Sequence, residues 1–374
     1  MRILYDGEIY RAQVAGGINR YFASLIGRLP RSFRPTMLVA QDCGVNQPVH
    51  PRLKIRRQPE LDCQHISKGG DGFYSQLKRR YLRAATDSSR FDLAHPTYYQ
   101  LVTGQDPSSY HCPLVLTVWD MIHELFAEQM DPEGVVAEVK RKAIFAADLI
   151  ICISENTRND LLERFPEVEE KVRVTALAPD MENGLTEGQE LVPSRPYYLY
   201  VGSRSFYKNF GGLAVAFAKA VSMRREMALC VVGAPFNEME QELISDLKLT
   251  SHIANYGYVT NRHLKKLYRH SIALVYPSLY EGFGIPPLEA MSCETAVVAA
   301  EVASIPEVVA DAGLLFDPRS PDELTDSLLA LLDSPTERER LIAKGRERVR
   351  QFSWDKTVAK TLAIYRSVSK HGKH

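Results

Sequence analysis

Short apolar runs rich in β-branched residues alternate with amphipathic helical stretches along almost the whole of this sequence. No other feature restricts the fold as much. A strand that is apolar on both faces must be covered on both faces, so such runs belong in a parallel sheet with helices on either side. The first series is Ile3–Tyr5, Met37–Ala40, Leu114–Val118, Leu149–Ile153 and Val172–Ala176. The second is Tyr198–Gly202, Leu229–Gly233, Ile253–Tyr258, Ala273–Tyr276 and Ala296–Ala300. Helical patterns lie between them, at Asn19–Leu29, Glu138–Ala147 and Asn156–Arg164. Ser320 followed by Pro321 and Glu323 reads as a capping box opening a helix over Leu324–Leu332.

The alternation breaks once. Residues 178–196 have no apolar periodicity and hold three prolines, the composition of a linker. With 374 residues the chain is also too long for one ordinary core. The reading is therefore two α/β domains: residues 1–178, a linker at 179–196, and 197–353, with a helical end at 354–374. The expected topology is doubly wound and Rossmann-like in both.

Charge is unevenly spread. The chain is neutral overall, yet its first 90 residues carry 16 Lys/Arg against 7 Asp/Glu. A basic first third suits a phosphate or an anionic membrane surface. Leu77–Arg83, basic and partly amphipathic, is the candidate membrane contact. The six cysteines are widely spaced with no CxxC pair, which argues against a disulfide framework or a zinc site. The N-terminus lacks a signal-peptide pattern, and no apolar stretch approaches a membrane span. A cytoplasmic location, peripheral at most to the membrane's inner face, is expected.

Three segments carry chemistry. Glu281-Gly-Phe-Gly-Ile-Pro-Pro-Leu-Glu289 follows one strand and opens a helix. In a doubly wound sheet, ligands bind beyond the strands' carboxyl ends. Gly282 and Gly284 let the backbone approach a ligand, and a carboxylate accepts paired hydroxyls. Gly202-Ser-Arg-Ser-Phe-Tyr-Lys-Asn209 follows another strand, where Arg204 and Lys208 suit a diphosphate. Gly16-Gly17 follows the first strand and opens a helix, a place for a phosphate. The three-glycine dinucleotide fingerprint is absent, so NAD is not indicated.

These motifs resemble the E-x7-E, VG-x-R…KN and GG segments of family 4 retaining glycosyltransferases, which have the GT-B fold. The matches keep their order from residue 16 to 318. The resemblance implies two Rossmann-like domains facing a central cleft, with the terminal helix packing back on the first. It places Glu281 against the donor sugar, Glu289 on the ribose, and Arg204 and Lys208 on the diphosphate. Gly282, Phe283, Gly284 and Ile285 would contact the sugar through the loop, Val259 the base, and Gly16 and Gly17 the donor from the first domain. It implies transfer of a hexose from a GDP-sugar, mannose first, or a UDP-sugar. The acceptor would be a glycan or lipid-linked, in polysaccharide or lipopolysaccharide synthesis. No metal, cofactor or nucleic-acid partner is expected.

The chain departs from the pattern twice. Trp119 stands where the family has histidine, before Asp120, with His123 nearby; Trp119 either stacks on a sugar or packs in the core. Glu294 replaces a usual glycine. Asp120 is the expected catalytic group of the first domain, and His95 and His123 are acceptor-side candidates. Two rival readings are a silent nucleotide-sugar-binding partner and a GT-B epimerase.

Overall fold

The computed structural model describes residues 1–13, 16–40, 46–57, 76, 80–81, 87–180 and 190–371. Most of Leu77–Arg83, the candidate membrane segment, lies outside the described residues, as does 181–189 of the linker. The chain divides into two compact units. One comprises Met1–Ile153, Thr157–Ala176 and Trp354–His374; the other comprises Ser154–Asn156 and Leu177–Ser353.

In the first unit, β1 (Arg2–Asp6), β2 (Arg34–Val39), β3 (Lys54–Arg57) and β4 (Leu93–Ala94) form a sheet of order β3-β2-β1-β4. A second sheet has the order β5-β6-β7, from Val115–Val118, Leu149–Cys152 and Val172–Val174. All their pairings are parallel, and a parallel bridge from Ala94 to Leu114 links the two sheets. The central strands are buried along nearly their whole length, as continuous apolar runs require. Helix Gly17–Gly27 turns Tyr21, Phe22, Leu25 and Ile26 inward at helical spacing.

The terminal helix Trp354–His371 belongs to this unit. It packs on Gly17–Gly27 and on β4. Trp354 lies 6.0 Å from Tyr21 between ring centroids, and Thr357 donates to the carbonyl of Ala176 at 2.8 Å.

The second unit is one parallel sheet. Its strands are β8 (Tyr197–Val201), β9 (Ala228–Val232), β10 (Ile253–Asn255), β11 (Ala273–Tyr276), β12 (Ala296–Ala300) and β13 (Leu314–Phe316). Their order is β10-β9-β8-β11-β12-β13, so the chain starts at the centre, runs to one edge, then returns and runs to the other. Right-handed crossovers then place helices on opposite faces for the two halves. The reversal opens a crevice beyond the carboxyl ends of β8 and β11.

Some local outcomes differ from the sequence expectation, among them β3, which lies outside the expected strands. The strand expected over Ile253–Tyr258 ends at Asn255. There the Asn255 side chain accepts from Gly257 N at 2.7 Å and donates to the Ala234 carbonyl, and Gly257 turns to φ +66°. The Ser320 capping box forms by half. Ser320 Oγ accepts from Glu323 N, but Glu323 takes the amide of Asp317 instead of returning the bond. The reciprocal box is at Asn237 and Glu240. Glu294, at the position where the family usually has glycine, takes a left-handed conformation at φ +58°. Its carboxylate is held by Arg269 and Arg346, each at 2.9 Å, which offsets a backbone cost of about 1 kcal/mol or more.

Candidate active site

The reversal point of the second unit sets the first two site residues side by side. After β8 the chain passes Gly202, makes a short turn over Phe206–Lys208, and enters a helix through Asn209 at φ +53°. The Asn209 amide donates to the carbonyls of Pro277 and Pro318, and the Leu279 amide donates to the Tyr207 carbonyl at 2.7 Å. These bonds zip the loop after β8 to the loop after β11. Lys208 Nζ therefore reaches both oxygens of Glu281, at 2.7 and 2.9 Å.

Ser278 Oγ donates to the same carboxylate at 2.6 Å. The Tyr276 hydroxyl also bonds it, and burial pushes that phenol well above its ordinary range. The rings of Tyr207 and Tyr276 lie 4.9 and 5.9 Å from the ammonium. The pair is mostly enclosed, with side-chain exposures of 18% for Lys208 and 10% for Glu281. Enclosure of this kind strengthens charge interactions inside the crevice.

Behind the loop, Ser304 Oγ lies 2.8 Å from the Glu281 carbonyl and 2.7 Å from that of Phe283. The Phe283 ring is buried edge-on against Phe352, so only its backbone is available to a ligand. Gly284, at φ +112°, occupies a conformation that side chains resist, and it caps helix Ile285–Ser292. That helix carries Glu289 on its second turn, 2% exposed, with Oε2 accepting from the Tyr268 hydroxyl at 3.3 Å. Val259 sits half-buried in the loop after β10, beside the exposed Tyr258.

Arg204 does not join Lys208. Its Nε and Nη2 form a two-bond pair with Glu240 at 2.7 and 3.0 Å, and Nη2 also donates to the Pro235 carbonyl. The guanidinium lies over Phe236 and Phe210. Only Nη1 lacks a partner, although it is buried. A Cβ on Gly233 would come within 3.5 Å of it and within 2.4 Å of the Gly202 carbonyl, so Gly233 must stay bare. The expectation that Arg204 grips a phosphate with its paired N–H groups is not met in this conformation, because those groups serve Glu240.

The first unit has its own reversal, between β1 and β4. Asp6 ends β1 there with no exposed surface. Its carboxylate accepts from Val102 N at 2.8 Å and from the Tyr110 hydroxyl at 3.0 Å. Burial raises its pKa to about 7. Gly16 and Gly17 open the following helix. A Cβ on Gly17 would meet nothing within 4 Å, so packing does not explain the missing side chain.

Asp120, beyond β5, accepts from Ile122 N at 3.1 Å and is about a third exposed. Beneath it lies Lys140, which has no exposed surface. Lys140 Nζ donates to the Asp120 carbonyl at 3.0 Å and to Glu124 at 2.8 Å, and stands 5.2 Å from the Tyr99 ring centroid.

One acceptor-side expectation, His95, is corrected, and Trp119 takes one of its two readings. His95 is wholly enclosed; Nδ1 meets the Tyr365 hydroxyl at 2.6 Å and Nε2 meets Thr117 at 2.8 Å. Desolvation pushes its pKa down to about 3, so it is a neutral core group. Trp119 is 6% exposed and packs edge-on against Tyr21 and Phe22. Of its two sequence readings, core packing is the one observed. His123 sits half-buried in the short helix Ile122–Leu125, with Nδ1 unpartnered.

Sequence reasoning missed Ser278, Ser304, Tyr276 and Lys140. Lys140 carried a signal: with Ala143, Ile144 and Ala147 it falls on the inward stripe of its helix, where a lone lysine demands a partner. The three others lie in loops or strand ends whose contacts come from distant segments. Among the described residues, no group of three or more His, Cys, Asp or Glu is placed to hold a metal.

Known proteins share this architecture. Residues 186–348 match the model described as glycosyl transferases group 1, and 15–182 match glycosyltransferase family 4. The chain is 31% identical over 391 residues to O-antigen chain mannosyltransferase B of Escherichia coli, covering 98% of this chain and all of the relative. It is 30% identical to alpha-maltose-1-phosphate synthase of Mycobacterium tuberculosis, at 98% and 100% coverage. Sucrose-phosphate synthase of Thermosynechococcus elongatus superposes with a TM-score of 0.78 at 22% identity, over 98% of both chains. With both halves of its length matched by the family's models, the chain belongs to the family 4 glycosyltransferases of the GT-B fold.

Proposed function

We propose that the chain is a retaining hexosyltransferase that draws on a nucleoside diphosphate sugar and glycosylates a glycan or lipid-linked acceptor in surface polysaccharide assembly. The observation that carries this reading is the enclosed Lys208–Glu281 pair at the reversal point of the second sheet. The C1–O bond to the diphosphate breaks and the acceptor oxygen bonds to C1. The acceptor's proton passes to the departing phosphate oxygen. Lys208 and the N-terminal end of helix Ile285–Ser292 stabilise the charge that grows on that oxygen. Glu281 holds sugar hydroxyls, and its three local partners keep it aimed. The buried Glu289 carboxylate takes the ribose hydroxyls.

Mannose from GDP-mannose is the first choice of donor, supported by the 31% identity to the O-antigen mannosyltransferase. A UDP-sugar is the second. The test is a transfer assay with GDP-mannose, UDP-glucose and UDP-N-acetylglucosamine, with anomeric configuration read by NMR. Transfer with retained configuration from one donor, lost in Lys208→Ala, supports the reading. Binding without transfer from any donor, or epimerised product, overturns it.

A further inference from the structure

Six basic side chains gather around one cavity on the first unit, at the opposite end of its sheet from Asp6. Arg2, Arg34 and Lys54 are the opening residues of β1, β2 and β3. With Arg52, Arg56 and Arg90 they line a cavity of about 580 Å³ at the strands' amino edge. The floor is mixed, with the buried Thr36 and the half-buried Leu53 and Phe91. The four intervals of β1 put about 13 Å between Arg2 and Asp6 along the strand. This is therefore a place apart from the carboxyl edge of the same sheet.

Among the described residues, three of these charges, on Arg34, Arg52 and Lys54, have no acidic partner. Arg2 and Arg34 are direct partners in the β1–β2 register, on strands about 4.8 Å apart. Arg2 is engaged by Asp92, and Arg90 by Asp87. Among the described residues, no acidic side chain lies within ion-pair distance of Arg34, Arg52 or Lys54. Among the described residues, the one carboxylate in the lining is Asp87, which is already bound to Ser89 and Arg90. Like charges crowded around a concavity repel, and an anion seated among them removes that repulsion. Arginine forks favour planar oxyanions and phosphates, and the apolar part of the floor accepts a compact organic body.

We infer that this amino-edge cavity is a second ligand site, which binds a small molecule carrying two or more phosphate charges. Inorganic diphosphate is the probe. Equilibrium dialysis against the whole protein is expected to show a diphosphate site that Arg34→Gln with Arg52→Gln weakens about tenfold or more. Lys208→Ala leaves that site in place. Asp87→Asn, which removes the one negative charge in the lining, tightens it, a gain that misfolding cannot mimic. Equal binding by wild type and the double variant overturns the inference, as does loss of all binding in Lys208→Ala. Flotation with phosphatidylglycerol vesicles separates the sources. Vesicle binding that depends on Arg34 and Arg52, without binding of free diphosphate, replaces the cavity with a membrane-docking surface and overturns it too.

Discussion

Lys208 and Glu281 are held as a pair before any donor enters, so each keeps the other solvated in a partly closed crevice. Removing one leaves the other with an uncompensated charge. Lys208→Ala is expected to lower stability by about 1–3 kcal/mol and to cut transfer by about 10²-fold or more. Glu281→Gln, which keeps shape and hydrogen-bonding capacity, is expected to lose activity with little loss of stability. Thermal midpoints and initial rates on the two variants separate the effects. If Glu281→Gln turns over normally, the carboxylate's role in the donor cleft falls. Lys140 is the sharper stability test. Glu124 beside it is nearly fully buried, with one oxygen already unpartnered. Lys140→Met strands that carboxylate and should cost about 3–5 kcal/mol in urea unfolding, with Glu124→Gln recovering part of the loss. Equal midpoints for wild type and Lys140→Met would show that the buried pair carries no weight.

At the scale of elements, the terminal helix is fastened by a polar chain through the first unit's core. Tyr365 joins His95 at 2.6 Å and Tyr5 at 3.2 Å, and His95 goes on to Thr117. Tyr365→Phe leaves His95 Nδ1 buried without a partner, and a loss of about 1–3 kcal/mol is expected by chemical denaturation. Most strands and helices were legible in the sequence because their periodicity is local, but the basic β3, which has no apolar run, was not. The loop motifs were legible too: Lys208 and Glu281 follow strands that a doubly wound order makes neighbours. Arg204 was misread because its partner, Glu240, lies on a helix 36 residues away and is itself a cap. His95 was misread for the same reason, since its partner Tyr365 is 270 residues distant. Spacing within a motif says nothing of such pairings.

For the whole molecule, pH and salt act through groups that belong to the first unit. Asp6 has a folded pKa of about 7, raised from 3.8 by burial. The folded chain therefore binds this proton more tightly than the unfolded chain. That contribution to stability is fully present below about pH 4 and is lost as pH rises toward 7. Asp6→Asn mimics the protonated form and should flatten that part of the stability–pH curve, as read from urea midpoints. An unchanged slope would mean that Asp6 does not titrate there. The neutral total with a basic first 90 residues makes the chain a charge dipole in sequence. Self-association near pH 7 should fall as salt rises from 10 to 300 mM, concentrations over which the screening length shrinks from about 30 Å to well under 10 Å. Light scattering reads this directly, and scattering that is flat or rises with salt would point to apolar contacts instead.

The last helix has a consequence for synthesis. The first unit cannot complete its core until Trp354 and Tyr365 exist, and some 180 residues separate Ala176 from Trp354. At ~5–20 residues per second, a ribosome takes roughly 10–40 s to cover that distance. Throughout that interval Tyr21 and His95 lack the partners on the last helix that finally enclose them. The second unit needs nothing from the last helix and is free to fold while the first still waits. The half of the protein made first is thus finished last, and it is the half for which a chaperone has the longest opportunity.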